Sequence, residues 1–287
     1  MTTLPPIKKI SYIYLCLIPL LTIVLAFALG HISPKIYIPI WILNFCIMLI
    51  AVWILGANVL RGGDRAAKFL AGSGCLLFLP ICLLSILFGM GAPPDTIEGW
   101  IATATEQKVR FDILLADGVL VALGLSIVKI IVNERGEKIY SQLGYTAIII
   151  AIPLFFINTS FWHSFALQAF KIRVAHDAKK PLEWYVPAAL HIWIITIGQL
   201  LLTYFSIAMF AGSLNQTRIF RRGPAIAYVS ISLIAILSIL FLPLYPNATP
   251  FSGFPYYPFM IPAVPIMLCY YIGINLVRHA GEIARGA

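Results

Sequence analysis

Asp112 and Asp117 lie in a stretch of sequence otherwise suited to hydrocarbon. Charge is costly there, so an ionisable side chain inside an apolar span points to a functional site. Asp117 sits six residues beyond Phe111, where that stretch begins, which places it roughly 9 Å deep at the rise of an α-helix. A carboxylate at that depth can hold a proton or cation, anchor a ligand amine, or bridge two helices by hydrogen bonds. Asp112 is nearer the boundary and is predicted to pair with Lys108, one helical turn away. His191 lies two turns into another apolar stretch, followed by Trp193 and, deeper, Gln199. Its depth matches that of Asp117, so an Asp117–His191 pair is expected, unless the imidazole only packs and hydrogen-bonds between helices. His163 and His31 fall at outer helix ends and His176 in an outer loop. Haem or metal would suit such histidines, but neither H-E-x-x-H nor C-x-x-C-H occurs, and no cofactor is indicated.

Eight apolar stretches position these groups: Ile10–Gly30, Ile36–Leu60, Phe69–Met90, Phe111–Val132, Gly144–Phe161, Trp184–Gly212, Pro224–Leu242 and Pro258–Val277. Each is near the roughly 20 residues that a helix needs to cross a bilayer core. Hydrophobic residues make up 61% of the 287-residue chain and charged ones 11%, against about 25% charged in soluble domains. With the N-terminus inside, thirteen of the twenty lysines and arginines fall on inner segments, among them Lys8, Arg65, Lys138 and Arg222. The net charge of +9 is therefore read as a topology signal, and nucleic acid is not expected as a partner. Both termini are predicted to be cytoplasmic, with the chain in a plasma membrane of the bacterial inner-membrane kind. The first stretch, which ends in Ala26-Phe27-Ala28, is longer than a cleavable signal core and is read as a retained helix. The five cysteines all lie in apolar spans and are read as small buried hydrophobes.

Short matches such as Lys9-Ile10-Ser11-Tyr12 with Lys138-Ile139-Tyr140-Ser141 raise a parallel 4+4 repeat, with halves 1–136 and 137–287, although such matches arise easily by chance in apolar sequence. Pro93-Pro94, then Asp95 and Glu98 as a capping box, predict an outer amphipathic helix, with a bend between Glu106 and Arg110 before the next crossing. A second outer interfacial helix is expected between Phe161 and Glu183. A proline- and aromatic-rich loop carrying Tyr245, Phe251 and Tyr256 precedes Pro258, and Pro262 and Pro265 predict a kink. Asn247-Ala248-Thr249 forms a glycosylation sequon followed by Pro250.

The fold class is thus an all-α polytopic integral membrane bundle of about eight helices, forming a single domain over 1–287. Neither G-x-S-x-G nor a Walker A motif occurs. The leading expectation is binding or transport of a small molecule, ion or lipid from the outer side. It centres on Asp117, His191 and Gln199, with Trp193, Asp112 and His163 around them. A membrane-embedded enzyme acting on lipid or isoprenoid substrates is the second reading, and it requires several of Asp112, Asp117, His163 and His191 to converge. An accessory or assembly subunit of a membrane complex is the third. The lipid bilayer is the one partner that all three share.

Overall fold

The computed structural model describes residues 5–62, 64–94, 96–176, 182–241 and 257–286. Every regular element among them is helical: α1 (Pro6–Leu29), α2 (Pro34–Gly62), α3 (Arg65–Leu84), α4 (Leu87–Met90), α5 (Ile97–Ala102), α6 (Ala104–Glu134), α7 (Ile139–Ser160), a π-helical turn (Phe161–Ala166), α8 (Leu167–Ala175), α9 (Tyr185–Gln216), α10 (Arg222–Phe241), α11 (Tyr257–Met260) and α12 (Ala263–Gly286). Eight of the helical stretches are long and apolar enough to cross a membrane, with α3–α4 and α7–α8 each counting as one. The chain is a multi-pass membrane protein in contact with the lipid bilayer. Its two ends share one face, where Lys8 Nζ donates to the Leu55 carbonyl at 3.3 Å and Asn58 Nδ2 to that of Gly281 at 3.4 Å. We refer to this as the terminal face and to the opposite one as the distal face.

Helix α12 lies between two apolar cores. One, around Leu200, Tyr204 and Phe210, joins α9 and α10 to α3, α6, α7 and α12, and the other, around Phe78 and Tyr270, joins α1 and α2 to α3, α6, α7 and α12. Where α12 crosses α3 the backbones touch through glycines. A Cβ at Gly74 would lie 2.7 Å from the Gly273 carbonyl oxygen, and one at Gly273 would lie 2.6 Å from that of Gly74. Helices in lipid gain little from apolar burial alone, so such small-residue contacts provide the dispersion energy of packing. Helices α1 and α2 are the most exposed, with Ile10, Val24, Leu43 and Trp53 facing outward, as lipid-facing side chains do.

Helix α1 docks through its proline. Pro19 has no N–H to give the Leu15 carbonyl, four residues earlier. Tyr270 Oη on α12 donates to that carbonyl at 2.7 Å instead, and Tyr271 Oη donates to Cys16 O at 2.9 Å. Tyr270→Phe is therefore expected to lower stability by about 1–2 kcal/mol, by leaving a carbonyl unpaired in apolar surroundings. In a Pro19→Ala background, where the helix supplies its own N–H, the loss should shrink to a few tenths (about 0.3 kcal/mol). Chemical unfolding of the four proteins of this cycle in detergent checks it.

On the terminal face Gly136, at φ 90°, turns the chain from α6 into α7. The next residue, Glu137, is buried. Its Oε1 accepts from Tyr140 N at 2.7 Å, and its Oε2 accepts from Ser141 N at 3.0 Å and from the Ser213 hydroxyl of α9. One carboxylate thus caps α7 and fastens it to α9. Burial pushes its pKa up, but the hydrogen bonds from Ser213, Ser141 and Tyr140 outweigh this and hold the carboxyl below its ordinary value.

Several sequence expectations change in the structure. The predicted bend at Glu106–Arg110 falls instead at Thr103, whose hydroxyl bonds back to Gly99 O at 2.8 Å and closes α5. The helix cap is Thr96, which accepts from Gly99 N at 3.1 Å, while Asp95 lies outside the described residues. Helix α7 does not end at Phe161. It continues through the π turn into α8, so the second outer segment prolongs the span rather than forming a separate helix. The predicted kink falls at Ile261–Pro262, between α11 and α12. Cys46 faces outward rather than into the core. The aromatic loop residues Tyr245, Phe251 and Tyr256 and the Asn247 sequon lie outside the described residues.

Candidate functional site

Helix α6 buries the face that carries Gln107, Arg110, Leu114, Asp117, Gly118 and Val121. These spacings of three and four keep every member on one side of a helix. Gly118 lets the phenyl rings of Phe155 and Phe156 on α7 approach the α6 backbone. Asp117 is thereby enclosed at 0% exposure, within electrostatic reach of the Cys82 thiol on α3. Both of its carboxylate oxygens lack a hydrogen-bond partner among the described residues. A bare carboxylate in such surroundings is very costly unless a proton, a cation or a water meets it.

Beside it lies a small cavity of about 30 Å³, lined by Gly118 and Phe155, by Gln199 and Thr203 of α9, and by Pro265 and Cys269 of α12. That is room for a water or two or a small ion. Gln199 is 3% exposed and its Oε1 is also unpartnered. Thr203 Oγ1 is committed to the Gln199 carbonyl at 2.8 Å. The cavity borders the α11–α12 break, where Ile261 N and Val264 N bond three residues back and satisfy carbonyls that prolines would otherwise leave open. Gln199 brings a primary amide to the cavity wall, and Asp117 is the residue before Gly118, which forms part of that wall.

Nearer the distal face the same α6 stripe carries a second polar group that the sequence reading missed. Arg110 is buried and donates through Nη2 to Gly91 O at 2.8 Å, which leaves its Nε unpartnered. Glu106 Oε1 accepts from Tyr37 Oη at 3.3 Å, and its Oε2 lies 3.1 Å from His31 Nδ1. From sequence, Glu106 and Arg110 mark only the predicted bend, and His31 a helix end. Their spacing of seven from Arg110 to Asp117 was the available signal.

The remaining candidates divide in two. Asp112 does not pair with Lys108. Its Oδ1 lies 3.3 Å from Nε2 of His163, because the π turn brings that imidazole against α6. The expected Asp117–His191 pair does not form either. His191 and Trp193 lie on the exposed side of α9, one residue off the buried positions Ile192 and Gln199. Of the four acid–base candidates, Asp112 and His163 converge while Asp117 and His191 stand apart. Among the described residues, no three His, Cys, Asp or Glu side chains assemble as a metal site.

Comparison with family models, curated proteins and solved structures found no match to this chain. The fold and the buried site define its class, a polytopic α-helical membrane protein with an unpartnered carboxylate within the membrane.

Proposed function

We propose that the protein binds and conducts a small cation through a site within the membrane, reached from the outer side, with Asp117 as the charged ligand. The single observation that carries this reading is the fully buried Asp117, whose two oxygens have no partner among the described residues, one position along α6 from Gly118 in the cavity wall. An unpartnered carboxylate favours a positive guest, and the neighbouring cavity's size favours a proton or a bare metal ion over a bulky amine. Access is past the α11–α12 break, since the route along α6 would bring a cation against Arg110. Gln199 supplies a further oxygen. His191 and Trp193 lie on the exposed side of α9, outside the cavity wall.

Asp117→Asn removes the charge and keeps the shape. Purified wild type should gain thermal stability from one of Li⁺, Na⁺ or K⁺, or from acidification, because a ligand that binds only the folded state stabilises it by mass action. The variant should be insensitive to that cation and, in liposomes, should lose the corresponding flux at least about tenfold. Removing an unpaired carboxylate should also raise its midpoint by about 2–4 °C in the absence of ligand. An Asp117→Asn protein with the wild-type cation response and flux would refute the assignment.

A further inference from the structure

On the distal face, the π turn carries a chain of three groups that the cation site does not use. His163 Nε2 lies 3.3 Å from Asp112 Oδ1, and His163 Nδ1 lies 2.7 Å from the hydroxyl of Ser164. An ionised carboxylate only accepts hydrogen bonds, so Asp112 holds the imidazole proton on Nε2 and leaves Nδ1 as an acceptor toward Ser164. From this geometry we infer that Ser164, His163 and Asp112 form a nucleophilic relay that cleaves carboxylic esters of lipids in the adjoining leaflet.

The order of parts is that of an activated serine, in which a nucleophile bonds to a base that is itself oriented by a third group. The surroundings suit an interfacial substrate. Ser164 is exposed, and the side chains of His163 and Asp112 are 26% and 62% accessible. Phe165, the next residue, is exposed and stacks on Phe161, offering an apolar surface to an acyl chain. Lys108, one turn before Asp112 on α6, is exposed and offers a positive charge to a phosphate headgroup. Gln168, about one turn beyond Ser164, is exposed and carries the amide donor that an oxyanion needs. The platform beneath is stiff: Trp100 packs on Phe111, Trp162 and Phe170, which ties α5, α6, the π turn and α8 together. Single π turns recur at functional sites, and here the turn sets His163 against a carboxylate on a neighbouring helix.

In the reaction, Ser164 Oγ bonds to the ester carbonyl carbon as His163 Nδ1 takes the hydroxyl proton. The carbonyl–alkoxy bond then breaks, and the alcohol leaves with that proton. Water next attacks the acyl-serine by the same route, giving up its proton to His163, which returns it to Oγ as the carboxylic acid departs. The sum is ester plus water to acid plus alcohol, with no redox change.

The test uses the full-length protein in phosphatidylglycerol-containing nanodiscs. A fluorophosphonate reagent should form one covalent adduct, mapped to Ser164 by peptide mass, and p-nitrophenyl decanoate should be hydrolysed with an initial burst. Ser164→Ala should abolish the adduct and lower hydrolysis at least about 10³-fold, and Asp112→Asn should lower it about 10²–10⁴-fold. Both residues are exposed, so the thermal midpoints of the variants should stay within about 2 °C of wild type. Release of fatty acid from the phosphatidylglycerol itself would mark lipid as the substrate. No adduct at Ser164, or a Ser164→Ala protein that hydrolyses the ester at the wild-type rate, would overturn the relay. Asp117→Asn should leave this activity intact, so the relay and the cation site fail or stand separately.

Discussion

Gly273→Leu is expected to prevent the bundle from assembling. A Cβ at Gly273 would already lie 2.6 Å from the Gly74 carbonyl oxygen and 3.0 Å from Phe78 N. Both neighbours are backbone on a transmembrane helix, so neither can turn aside as a flexible side chain would. Helix α12 must then move off α3, and because it also belongs to the core with α9 and α10, the displacement opens both cores. Overpacking alone costs about 1–3 kcal/mol, and the loss of the shared interface adds to it. Most of a stability of about 5–15 kcal/mol is at risk. Gly273→Ala should cost about 1–3 kcal/mol by the same contact. Gly198→Ala is the control: a Cβ there meets nothing within 4 Å, and the substitution should be neutral or stabilising by up to about 1 kcal/mol from helix propensity. Size-exclusion profiles and unfolding midpoints in detergent read all three. A well-folded Gly273→Leu protein would show that the α3–α12 crossing is not the close contact described.

Glu137→Ala should lower stability by about 3 kcal/mol, from a lost helix cap and the hydrogen bonds to a charged acceptor. Ser213→Ala should cost about 1–2 kcal/mol, since the carboxylate keeps its two backbone donors. The pH dependence follows from the depressed folded-state value. The stabilisation is fully present above the ordinary glutamate value of 4.5 and is lost as pH falls below it through the lowered value in the folded protein. Acid unfolding of wild type should thus include a component that Glu137→Ala lacks, and the two midpoints should converge as pH falls through the lowered folded-state value. Parallel acid titrations that keep a constant gap would rule out Glu137 as the source.

The two most enclosed carboxylates show how burial divides structural from functional roles. Glu137 is met by two backbone amides and a serine hydroxyl, so its charge is part of the scaffold. Asp117 is more deeply enclosed and is met by no donor among the described residues. Native proteins rarely leave such groups unpaired, and an unpaired one is where a guest is expected.

The sequence alone determined the solvent and the crossings. Runs near 20 residues with so few charges admit only a transmembrane helix, because each helix satisfies its own backbone locally. The break at Pro93-Pro94 was likewise legible, since proline acts on its own dihedrals and on the residue before it. Depth along a helix was legible as well, which is why Asp117 and Gln199 stood out as candidates. Which side of a helix a residue faces was not, because apolar residues surround a lipid-exposed helix on every side and periodicity fades. His191 was therefore matched to Asp117 by depth although it lies on the exposed side of α9, and Asp112 was matched to Lys108 by spacing although its partner arrives from the π turn. Only the tertiary structure set Gly74 against Gly273, Tyr270 against the carbonyl that Pro19 leaves open, and His163 between Asp112 and Ser164. Each of these contacts joins residues on different helices or in a non-α turn. Their geometry depends on crossing angles and rotation, which no local run of residues encodes.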